Sequence, residues 1–248
     1  VPLALVTGST RRLGGHIAAR LAESGWAVAL HGSDSGEPEP WLAEQLDAAA
    51  NEWHGFAADL ASDDAPTALM RDVTRHFDMP VALLVNNASL FAPSESGTPD
   101  VAALVEHFRI NSAAPFALAA LVAGQGQDAS VVHILDQRIR HPHGDQQAYT
   151  LSKMALSEAV RLQARTFAPR VRVNGVAPGL TLPTGEYGED KMERLAAMMP
   201  LECLPSPDDI ADAVLYLAGA KAVTGQALFV DGGASMISYD HDFFRLVE

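Results

Sequence analysis

Tyr149 and Lys153 stand four residues apart in "QQAYTLSKMALSEAVRLQARTF", a stretch with helical spacing of its apolar residues, so both side chains leave one face. A free phenol, with a pKa of ~10, is a poor proton carrier at neutral pH, and an ammonium beside it favours the phenolate. Such a pair can donate and recover a proton. Upstream, Asp136 ends the apolar run "SVVHILD", close enough along the chain for the next loop and helix to return Tyr149 beside it. A second chemical element is "TGSTRRLGG", residues 7 to 15. It carries Gly8, Gly14 and Gly15, but Arg12 stands where a phosphate-binding turn would place its middle glycine, with Arg11 before it. A turn that ends a strand and opens a helix offers unpaired N–H groups and a positive helix end to an anion. Taken singly, a surface lysine, a turn aspartate and a tight turn would explain these residues. Their value depends on what positions them.

The positioning elements read as strand, helix, strand from the start. "LALVTG" is an apolar run ending in glycine, "LGGHIAARLAESG" has helical spacing, and "WAVALHG" is a second buried run, together a βαβ unit. The alternation continues through "WHGFAADL", "VALLVNNAS", "SVVHILD", "VRVNGVAPG" and "QALFVDGG", with helical segments between. "PDVAALVEHFRINSAAPFALAALVAG" reads as one long helix or two abutting ones. About seven parallel strands with helices on both faces and no break in composition predict one doubly wound α/β domain, of Rossmann type, over 1–248. Residues 181–200 are the least regular internal stretch, and their place after a strand end predicts a substrate lid.

A net charge of −14 argues against nucleic acid or an anionic membrane surface as a partner, and makes Arg11 and Arg12 a local exception. No apolar run is long enough to span a membrane. Val1 starts the first strand almost at once, as though the start had been trimmed. Cys203 is the only cysteine, which excludes an internal disulfide and fits a cytoplasmic location. His141 and His143 in "RHPHGD" lack a third ligand at suitable spacing, so no metal is expected.

Four segments occur in order at strand ends or helix starts: "TGxxxxxG" at 7–14, "NNAS" at 86–89, "YTLSK" at 149–153 and "NGVAPG" at 174–179. Together they resemble the short-chain dehydrogenase/reductase family over essentially the whole chain. Three departures from the wider family resemble its pteridine and dihydromonapterin reductases: "RRLG" in the turn, "NNASLF" at 86–91, and "HILDQR" at 133–138 with Asp136 where most members carry serine.

The resemblance implies an oxidoreductase with catalytic Asn111, Asp136, Tyr149 and Lys153. Lys153 would also hold the nicotinamide ribose, and Asn111 would anchor a water relay to it. Asp136 would take and pass on protons or pair with an amidine-like ring edge, which suits C=N reduction in a pterin. Arg12, Ser89, Phe91, Asp136 and Tyr149 would bind the flat substrate. Gly8, Arg11, Arg12, Leu13, Gly14, Asp59, Leu60, Asn87, Ala88, Ser89, Pro178, Gly179 and Thr181 would line the cofactor, with Asn86 near its ribose. An acid closing the second strand would bind a ribose diol and indicate NAD, but that position falls on Gly32. Asp34 stands where these reductases have an arginine for the 2′-phosphate; Arg11, His31 and Ser33 could still bind it, so NADP(H) is expected over NAD(H). A carbonyl or 3-oxoacyl reductase, or a non-catalytic dinucleotide-binding sensor, are the alternatives. Family members are commonly tetramers or dimers; the helix at 149–167 and the paired phenylalanines of "YDHDFFRLVE" suggest subunit contacts.

Overall fold

A computed structural model describes residues 1–91, 98–183, 188–241 and 243–246. Seven parallel strands form one sheet: β1 (Leu3–Val6), β2 (Ala27–Gly32), β3 (Trp53–Ala57), β4 (Val81–Asn86), β5 (Ala129–Ile134), β6 (Val171–Pro178) and β7 (Ala227–Val230). Their order is β3-β2-β1-β4-β5-β6-β7, which puts the topological switch between β1 and β4. Between the strands lie α1 (Arg12–Glu23), α2 (Pro40–Ala49), α3 (Ala65–Phe77), α4 (Val101–Phe108), α5 (Ala114–Gly124) and α6 (Gln147–Phe167). After β6 come α7 (Glu189–Met198) and α8 (Pro207–Gly219), and α9 (Phe243–Leu246) closes the chain.

The central strands β1, β2, β4 and β5 are mostly apolar and almost wholly buried because helices cover both faces of the sheet there, whereas the edge strands β3 and β7 are partly exposed. Leu3 and Leu5 of β1 face a layer built with Leu69 and Val73 of α3 and Leu118 and Val122 of α5. Ala4 and Val6 face the other, with Ile17 and Leu21 of α1 and Ile210 and Val214 of α8. One residue of register slip would exchange these two sets.

The stretch expected as one long or two abutting helices is a single run broken by a π turn, Arg109–Ala113, with Asn111 at its middle. Such a turn widens the helix and often marks a functional position. Of the stretch expected as a lid, residues 184–187 lie outside the described residues, and much of the rest forms α7. That helix sets Leu195, with Met199 just beyond it, against Ala234 and Phe243 of α9. Phe243, expected at a subunit contact, is therefore buried within its own chain; the side chain of Phe244 is not among those described.

Candidate active site

At the switch point the carboxyl ends of β1 and β4 diverge, and a cleft of about 770 Å³ opens along the start of α1. Gly8, Arg11, Arg12, Leu13, Gly14, Ser33, Asp59, Leu60 and Ala88 line it. A second cavity of about 230 Å³ follows, lined by Asp136, Tyr149, Lys153, Pro178, Gly179 and Thr181. Arg12, Leu13, Asn87 and Ser89 belong to both, so the two spaces meet at the second arginine.

The glycine turn is built by close approach. A Cβ on Gly14 would stand 2.2 Å from the Gly8 carbonyl oxygen, and Gly8 itself has φ +62°. Arg12 has φ +52°. The left-handed bend that a glycine would supply is thus kept, at a cost of about 1–2 kcal/mol for a residue with a Cβ. Surrounding hydrogen bonds hold it. Thr7 Oγ1 accepts the backbone N–H groups of Asn87 and Ala88, both at 3.0 Å. Asn87 Nδ2 donates to the carbonyls of Thr7 at 3.0 Å and Gly8 at 2.9 Å. Helix α1 starts with no side-chain cap and no acid in its first turn, so its first N–H groups face the cleft for an anion to bind.

His31 does not serve as the expected phosphate ligand. Its Nδ1 accepts the Gly8 N–H at 3.0 Å and its Nε2–H donates to the Ala58 carbonyl at 2.8 Å. Burial lowers its pKa, and the neutral ring acts as a bracket under the turn. Asn86, expected near the ribose, lies in the interior and donates to the Pro115 carbonyl at 3.3 Å. Arg11, Ser33 and Asp34 are exposed on the rim of the larger cleft. Asp59 uses its carboxylate to accept the Ala61 N–H at 3.0 Å.

The proton-handling residues come together as the sequence suggests. The Tyr149 hydroxyl donates to Asp136 Oδ2 at 2.9 Å. Phe91 is 45% exposed, and its ring meets Tyr149 edge to face at 4.9 Å. Lys153 is buried, and its Nζ donates to the Ile134 carbonyl at 2.9 Å. Burial pulls the ammonium down to about 8, with the Asp136 carboxylate opposing. The expectation that Lys153 brings the phenol down towards neutral pH is corrected here. Burial and then the Asp136 carboxylate push Tyr149 well above the usual tyrosine range, and the cation that opposes them is Arg138. Tyr149 therefore stands protonated, as an acid ready to give its proton.

Asn111 is buried in the π turn and engaged through both ends of its amide. Its Oδ1 accepts the Leu90 N–H at 2.7 Å and the Ser89 hydroxyl at 3.3 Å. Its Nδ2 donates to the Leu90 carbonyl at 2.9 Å and to Ser152 Oγ at 3.0 Å. The side chain thus ties the Ser89 loop to α6.

Two features escape a reading of the sequence. Arg138 is buried beside Asp136, with Nε at 3.3 Å from Oδ1. Its signal was the short spacing in "DQR", which says nothing of burial. Beneath Lys153, His133 is fully buried; its Nδ1 accepts from Asn86 Nδ2 at 3.2 Å and its Nε2–H donates to Gln163 Oε1 at 3.1 Å. Burial takes this imidazole down to about 4. Among the described residues, no group of three His, Cys, Asp or Glu side chains is arranged to hold a metal.

The family model for enoyl-(acyl carrier protein) reductase matches residues 8–235. A putative ketoacyl reductase of granaticin polyketide synthesis from Streptomyces violaceoruber is 32% identical, over 95% of this chain and 97% of its own. Dihydromonapterin reductase of Klebsiella pneumoniae is 30% identical, over 92% of this chain and 95% of its own. The crystal structure of FolM alternative dihydrofolate reductase 1 from Brucella canis, complexed with NADP, superposes with a TM-score of 0.86 at 34% identity, covering 95% of each chain. With the glycine turn, the Tyr149–Lys153 pair and a match of this extent, the chain belongs to the short-chain dehydrogenase/reductase family.

Proposed function

We propose that the protein is an NADPH-dependent reductase of a pteridine-like C=N bond. The observation that carries this is the Tyr149–Asp136 hydrogen bond, 2.9 Å long, at the wall of the smaller cavity. The residues fit the cofactor: an uncapped helix start and Arg11 lie at one end of a two-part cleft, Arg12 where its two parts meet, and Lys153 and Tyr149 at the other end. The NADP complex of the FolM structure supports the same choice. Arg11 and Ser33 would meet the 2′-phosphate, with Asp34 working against it.

A reduced nicotinamide held by Lys153 and the glycine turn would supply a hydride for the carbon of the C=N bond. Tyr149 gives its proton to the nitrogen, so the product carries a new C–H and a new N–H. Asp136 accepts the phenol hydrogen bond before transfer and can pair with the amidine-like edge of the ring. Arg12 and Ser89 line the cavity and Phe91 packs on Tyr149 at its wall, so the three would bind a flat heterocycle, and Lys153 would hold the cofactor ribose. Thr181 and Leu182 reach the same cavity, which supports the 181–200 stretch as a cover. The apolar side chains of Val105 and Phe108 on α4 and of Leu151 and Leu162 on α6 are exposed, and support a homodimer or homotetramer. No described helix is long and apolar enough to cross a membrane. This and the lone exposed Cys203 support a cytoplasmic protein.

A carbonyl or 3-oxoacyl reductase is the second reading, favoured by the polyketide relative. A pure sensor has no need of a buried acid beside Lys153. Oxidation of NADPH with dihydrobiopterin or dihydromonapterin, set against acetoacetyl thioesters and simple ketones, separates the readings. Turnover of the thioester alone would transfer the assignment to the second.

A further inference from the structure

Arg138 is a buried cation that the proposed reduction does not yet use. It is 8% exposed and sits in the short turn Gln137–Ile139 that follows Asp136. Asp136 Oδ1 accepts its backbone N–H at 2.9 Å and lies 3.3 Å from its Nε, so one residue holds one carboxylate oxygen twice. The other oxygen, Oδ2, is taken by the Tyr149 hydroxyl. The guanidinium carbon is 5.3 Å from the centre of the Tyr149 ring and 5.8 Å from that of Phe91. Capping the turn requires only the backbone N–H. A guanidinium is costly to bury unless it is paired, so a turn that needed only a cap would leave it in solvent.

Resting on the reductase reading above, we infer that Arg138 is a positioning residue: it holds Asp136 with Oδ2 towards Tyr149 and sets the angle between the Tyr149 and Phe91 rings that border the substrate slot. Lys153 lies near the same phenol, with Nζ 5.7 Å from the centre of the Tyr149 ring, but its amine donates to the Ile134 carbonyl at 2.9 Å, which leaves the hold on Asp136 to Arg138. The positive charge has a further effect, because it opposes the upward push of burial and of Asp136 on the phenol. The positive charge beside the carboxylate is the feature that an ammonium at this place would share.

The test uses Arg138→Met and Arg138→Lys in the full chain. Arg138→Met is expected to lower kcat for dihydropterin by about 10- to 100-fold while the NADPH KM stays within about 2-fold, as loss of orientation alone predicts. In the enzyme without substrate, the 13Cζ resonance of Tyr149, assigned with Tyr149→Phe, should move in Arg138→Met and return towards wild type in Arg138→Lys. Wild-type kcat in Arg138→Met, or an unmoved resonance, overturns the proposal. So does failure of Arg138→Lys to recover either readout, since a shared loss means packing alone. Arg138→Gln, judged by the same two readouts, replaces the methionine variant if that does not fold. Should the wild type reduce only ketones or thioesters, the pterin reading fails and Arg138 is scored on that substrate; the tyrosine resonance needs none.

Discussion

The two halves of the cleft are built differently. At the proton-handling end, Tyr149 and Lys153 are almost wholly buried, and each polar head has a named partner within 3 Å. At the glycine-turn end, Arg11, Ser33, Asp34 and Asp59 are exposed, and shape comes from backbone: the Gly8 turn, its His31 bracket and the uncapped start of α1. Chemistry demands fixed geometry before the substrate arrives, whereas a phosphate can be caught by N–H groups and flexible cations. Changes at the buried end should therefore reduce kcat, and changes at the rim should alter affinity.

The sharpest break of this comparison is Tyr149→Phe. It should lower kcat by about 10³-fold or more, as loss of a positioned acid does, and leave NADPH affinity within about 3-fold, read by quenching of protein fluorescence. Equal losses in both would mean that the phenol binds rather than reacts. The buried end also predicts an acid sensitivity. His133 is neutral in the fold, with a pKa lowered to about 4, while in the unfolded chain it titrates near its ordinary 6.5. As pH falls from 6.5 to 4 only the unfolded chain takes up this proton, so stability is lost across that window and no further below it, by about 3 kcal/mol in all. Urea unfolding against pH should show that this part of the slope disappears in His133→Gln; an identical slope would deny the neutral bracket beneath Lys153.

Asp136→Asn should come next, lowering kcat on a C=N substrate by roughly 100-fold with cofactor affinity unchanged, since it keeps the shape and loses the charge. Unchanged kcat would remove Asp136 from proton handling. The smallest effect belongs to the glycine turn where the two spaces meet. Arg12→Gly should raise the NADPH Kd about tenfold through loss of a charge-assisted contact. Its unfolding free energy should stay within about 1 kcal/mol, because relief of the left-handed backbone and the added freedom of the unfolded chain oppose each other. A large loss of stability would show that Arg12 holds the turn rather than the ligand.

The central strands were legible because burial on both faces leaves little polar alternation, and the helices because their apolar spacing survived into packing. Tyr149 with Lys153 was legible from a four-residue spacing, and Asp136 from its place at a strand end. His31 was misread because a histidine closing a strand shows no sign that both ring nitrogens will meet backbone groups of other segments. Asn86 looked like a cleft residue by position along the chain, yet strand alternation turns its side chain inward to His133. Arg138 went unweighed because its burial depends on Phe91 and Tyr149 arriving from two other elements. Contacts between distant segments are what a one-dimensional reading lacks.

The most direct test is steady-state reduction of dihydrobiopterin by NADPH in wild type and Asp136→Ser, with acetoacetyl thioester measured alongside. The account predicts that wild-type kcat/KM is higher for the pterin and that the serine variant loses pterin turnover about 100-fold while thioester turnover is kept or gained. Faster wild-type thioester reduction, or pterin turnover untouched by the serine, would contradict it.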